Sequence, residues 1–131
     1  MDQYRDTVGF AMSTWRKVKA FQAGVRDLER RLPMTEVRDY LASGRREASV
    51  PGDIYDEIDR LKELRSAGIR QEMPYAAAQA RAAGLTLSEP VLQGYDLMAM
   101  PPLGLLKKVP SLGIYRHFVW LGEAEGGFPA P

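Results

Sequence analysis

Apolar residues recur through the first quarter of the chain at Tyr4, Val8, Ala11, Trp15, Val18, Phe21, Val25, Leu28 and Leu32. The steps are three or four residues, a helical stripe close to a heptad seam. The pattern predicts one long helix over residues 2–32. Pro33 ends it, because proline has no N–H and biases the preceding residue away from helix. Gly9 and Gly24 are its weak points, each about 1 kcal/mol less favourable than alanine. At 1.5 Å per residue the helix would reach about 45 Å. A compact chain of this length is about 35–40 Å across. The seam is therefore expected to bend, or to face another chain over part of its length.

Three shorter helices follow in the same pattern. Thr35 is placed to cap a helix running to Ser43, with Gly44 as its stop. After a polar loop, Asp53 is placed to cap a helix over 54–67, with the stripe Ile54, Ile58, Leu61 and Leu64 and an Asp56–Arg60 pair four residues apart. Gly68 stands where a left-handed C-terminal residue belongs, with Ile69 folding back on Leu64. Pro74 opens a last, alanine-rich helix over 75–83, stopped by Gly84 with Leu85 closing the end.

Beyond Pro90 the texture changes. The 42 positions from 90 to 131 contain only six charges: Asp96, Lys107, Lys108, Arg116, Glu123 and Glu125. They hold six of the 9 prolines and six of the 12 glycines. Disordered linkers are polar or charged, whereas this stretch carries Leu97, Met98, Met100, Leu103, Leu105, Leu106, Phe118 and Trp120. It reads as an extended apolar arm over 90–131, attached to a helical domain over 1–89. Residues 94–110 are expected to lack regular structure. Residues 114–121 could form a strand or a short helix. The arm either closes the chain's own core or lies on another subunit. The fold class is mainly α: a long N-terminal helix, three shorter ones and the Pro/Gly-rich arm.

Composition narrows the function classes. The 131 residues are 45% hydrophobic and 27% charged, with a formal net charge of +1. Bulk charge thus points to no polyanionic partner. There is no cysteine and one histidine, which leaves too few parts for thiol chemistry, sulfur-ligated zinc or a histidine triad. His117 reads as a partly buried histidine. Asp56, Asp59 and Glu63 could bridge a divalent ion from one helical face, but Arg60, Lys62 and Arg65 interleave with acids there, and a solvated face is the simpler reading. No EF-hand, HExxH, GxSxG or P-loop spacing occurs. A helix-turn-helix is disfavoured by the long loop at 44–52 and by the acidity of the following helix.

One charge pattern stands out. Arg5, Arg16, Lys19, Arg26 and Arg30 lie on a single track of the first helix. They form either a basic flank for RNA, anionic lipid or an acidic surface, or long stems covering the edge of an apolar stripe. The sequence is read as that of a non-catalytic accessory subunit. It would dock on other protein subunits through its long helix and through Leu97, Met98, Met100, Leu103, Leu105, Leu106, Phe118 and Trp120. The alternative is a small nucleic-acid-associated protein using the basic track. No cofactor or metal is expected. No signal peptide or membrane span is visible, and the expected setting is intracellular.

Overall fold

A computed structural model describes residues 10–93 and 103–118, and the account below concerns those residues. The protein is mainly α, and no strand occurs among the described residues. The helices are α1 (Met12–Glu29), α2 (Met34–Ser43), α3 (Gly52–Ala82), α4 (Glu89–Leu92) and α5 (Leu103–Lys108), followed by a 3-10 helix, Pro110–His117.

The first helix is shorter than its stripe suggests. Ala11 has extended ψ (144°) and serves as N-cap, so helical geometry does not run back through Phe10. At about 27 Å, α1 fits within the body of the protein. Its seam is buried within this chain: Val18, Phe21, Val25 and Leu28 are all inaccessible or nearly so. Trp15 is half-buried.

The longest helix is α3, which joins the two segments that the sequence reading separates at Gly68. The apolar stripe passes without a break through Ile54, Ile58, Leu61, Gly68, Ile69, Met73, Ala76 and Ala80, all buried. Gly68 has ordinary helical backbone, since only Gly44 and Gly84 have positive φ among the described residues. Its role is steric. A methyl group at position 68 would overlap the Phe118 ring. Pro74 lies inside α3 rather than at the start of a new helix. An internal proline costs about 3 kcal/mol, a penalty that burial of Ile69, Met73, Ala76 and Ala80 on the same helix can offset at about 25 cal/mol per Å² of apolar surface. The end of α3 follows the expected design: Gly84 has φ 74°, and the Leu85 N–H donates to the Ala80 carbonyl at 2.8 Å. Gly44 closes α2 likewise, with φ 71° and its N–H on the Tyr40 carbonyl.

α1 and α3 pack antiparallel. Ala11 meets Glu72 and Thr14 meets Gln71 at one end. Gly24 lies against Leu61, and Arg31 reaches Asp53 at the other end. The 3-10 helix closes the groove between them. Val109, Leu112, Ile114, Tyr115 and Phe118 are buried in the same core as the two helices, and Phe118 meets Phe21 edge-on at 5.5 Å.

The described part of the arm therefore covers its own chain. Residues 103–108 are helical and not extended, and 110–117 form a 3-10 helix, the short-helix alternative for the described part of 114–121. Residues 94–102 lie outside the described residues.

Candidate functional site

The polar side chains gather in three places. The first is the loop between α2 and α3. Tyr40 of α2 and Tyr55 of α3 lie 4.7 Å apart, and Arg46 lies over both rings, at 5.8 and 5.4 Å. Its guanidinium donates to Asp56 at 3.0 Å and Asp59 at 3.2 Å. Tyr40 Oη donates to Asp59 at 2.8 Å, and the Glu47 N–H donates to Tyr55 Oη. The Arg46 pKa is raised, first by its hydrogen bond with Tyr40 and then by Asp56. Beside this cluster an open cleft of about 560 Å³ is bounded by Glu36, Asp39, Tyr40, Arg45, Glu47 and Tyr55.

The acids considered as a cation site are thus tied to arginines: Asp56 and Asp59 to Arg46, Glu63 to Arg70. No group of three metal-ligating side chains occurs among the described residues. The expected Asp56–Arg60 pair is replaced by Glu57–Arg60, three residues apart, a two-pronged contact at 2.6 and 2.7 Å. Arg60 holds the Glu57 carboxyl below its usual range against the opposing effect of burial.

The second place is the buried face of α3. Arg65, Glu72 and Gln79 are seven residues apart, on the stripe that faces the core. Each fixes a different segment. Arg65 Nε donates to the Phe118 carbonyl at 2.6 Å, with the guanidinium over the Tyr115 ring. Glu72, fully buried, accepts the Ala11 N–H at 2.9 Å. A carboxylate there also complements the N-terminal dipole of α1. Gln79 accepts the Ser111 N–H at 2.9 Å and donates to its hydroxyl at 3.0 Å. These residues escape a reading that stops the helix at Gly68. The available signal is that the three-four stripe continues across Gly68 and falls on one arginine, one glutamate and one glutamine.

The third place is the exposed side of α1. Arg16, Lys19, Arg26 and Arg30 are exposed there, while Arg5 lies outside the described residues. Lys19 Nζ sits 5.0 Å from the centre of the Trp15 ring. The His117 ring meets Trp15 at 5.1 Å and Phe10 at 5.5 Å, both edge-on. Gln22 donates to the His117 carbonyl, which brings Arg116 to the same side. Burial lowers the His117 pKa, and Arg116 and Lys19 lower it further.

Of the docking residues expected on the arm, Leu97, Met98, Met100 and Trp120 lie outside the described residues. Leu103 is 48% exposed, and Leu105 and Leu106 pack partly against the core. Phe118 is fully buried in this chain's own interior, so it is withdrawn from the docking set. No helix among the described residues is long and apolar enough to cross a membrane. The chain matches no family model, no curated protein and no solved structure.

Proposed function

We propose that the protein is a non-catalytic accessory subunit that docks on other protein subunits through the apolar segments flanking α5. The observation that carries this reading is where those segments depart from the folded body. Arg70 donates to the Gln93 carbonyl at 3.3 Å, and Arg65 donates to the Phe118 carbonyl. Gln93 and Phe118, which precede in sequence the stretches bearing Leu97, Met98, Met100 and Trp120, are thus tied to α3 at positions five residues apart, about 7.5 Å along its axis. α5, with Leu103 exposed, leads into the same region through Val109, whose N–H donates to the Leu105 carbonyl. The cores of stable subunit interfaces are apolar and enriched in aromatic residues and methionine, and the sequence of these stretches supplies leucine, methionine and tryptophan for one.

The test is size at native concentration. The full chain, extracted gently from its source, should elute in a particle far larger than 14.7 kDa. The triple variant Leu97→Glu, Met100→Glu, Trp120→Glu should elute as a monomer with undiminished helix signal. A native chain that elutes alone as a folded monomer refutes the proposal.

A further inference from the structure

Acids and bases are unevenly distributed in this nearly neutral chain. Residues 10–26 contain Arg16, Lys17, Lys19 and Arg26 and no Asp or Glu, and residues 103–118 contain bases only. Gln22 holds these two stretches together through the His117 carbonyl. Arg16, Lys19, Arg26 and Arg116 make no ion pair among the described residues, whereas Arg31, Arg46, Arg60 and Arg70 all do. The charges acting on His117 are Arg116 and Lys19, both cationic. The result is a strip of like charge left uncompensated by the fold.

We infer that this strip, Arg16, Lys19, Arg26 and Arg116 beside Trp15, binds the phosphate backbone of a single-stranded nucleic acid. Its shape and its surroundings select the partner. Arg16 to Arg26 spans about 15 Å along the helix, a linear array that suits a linear polyanion with one charge per nucleotide. A basic helix that binds membranes presents an apolar face beside its charges. The apolar face of α1 is instead buried against α3 and the 3-10 helix, with Met12 its one exposed large apolar side chain among the described residues. The Trp15 ring has Lys19 over it and meets the His117 ring edge-on, so it is engaged by a cation and a second ring and does not read a base. Recognition should be insensitive to sequence.

The probe is a fluorescein-labelled poly(U) strand, titrated with the full chain at several salt concentrations. Three to four phosphate contacts predict a slope of about −2 to −3 in log affinity against log salt, at about −0.7 per contact on single strands. Affinity should fall about 15- to 50-fold between about 50 and 200 mM salt. The exposed double variant Lys19→Ala, Arg116→Ala should bring the slope to about −1. The control Arg38→Ala, Arg81→Ala, on other elements, should leave it unchanged. No binding at the lowest salt overturns the inference, as does binding that the Lys19/Arg116 variant does not weaken. Polyglutamate competing as well as unlabelled poly(U) also overturns it, and marks the strip as a contact for an acidic protein. None of these outcomes depends on Leu97, Met98, Met100, Leu103 or Trp120, so docking and nucleic-acid binding fail separately.

Discussion

At the scale of single residues, Gly68 shows how one position can reverse a general rule. Alanine is about 1 kcal/mol better than glycine inside a helix, and Gly68 lies inside α3. Its missing Cβ is the space occupied by the Phe118 ring. Gly68→Ala should therefore destabilise the protein by about 1–3 kcal/mol, the usual range for overpacking. Gly104→Ala, where nothing lies within 4 Å, should be neutral or slightly stabilising. Denaturant midpoints of the two variants check this, and a stabilised Gly68→Ala would contradict the packing. His117 makes a second prediction. Its folded pKa is below the ordinary 6.5 because of burial and then Arg116 and Lys19. The unfolded chain thus binds more protons in the window just below 6.5, and stability must fall as pH drops through it. Thermal midpoints of the native chain should decline more steeply from pH 7 to pH 5 than those of His117→Gln. Parallel declines would show that His117 is not desolvated as described.

Elements were legible in the sequence where side-chain period alone decided them. The buried seam from Val18 to Leu28, the stop at Gly44 and the left-handed end at Gly84 all follow from local pattern. Gly68 and Pro74 carry the usual marks of helix ends, and those marks misled because the contacts that override them come from residue 118 and from the far side of the core. Phe118, Arg65, Glu72 and Gln79 were illegible for the same reason: their partners lie 32 to 61 residues away in the chain. The 3-10 helix illustrates the consequence. It has no long amphipathic repeat of its own, yet Leu112, Ile114 and Tyr115 in it are buried, as is Phe118 just after it, each contributing about 1.5–3 kcal/mol. A chain ending at Pro102 should lose cooperative unfolding and much of its far-UV helical signal. If that truncation melted as sharply as the full chain, residues 103–118 would be an appendage and not part of the core.

For the molecule as a whole, charge and packing are arranged about α3. Among the described residues, most ion pairs cluster around its first two turns and the preceding loop, bases without an ion pair lie along α1 and the end of the 3-10 helix, and three polar residues on its inner face hold segments from both sides in sequence. That last feature bears on how the protein comes into being. A ribosome releases α3 well before Phe118, and the 36 residues from Ala82 to Phe118 take about 2–7 s to add at about 5–20 residues per second. Throughout that interval the pocket over Gly68 is open, and buried Arg65 has not yet met the carbonyl it will bind. The nascent chain must wait with its longest helix half-clothed, which makes α3 the natural place for a chaperone to hold on and the stretch between Ala82 and Phe118 the place for slow codons to do harm.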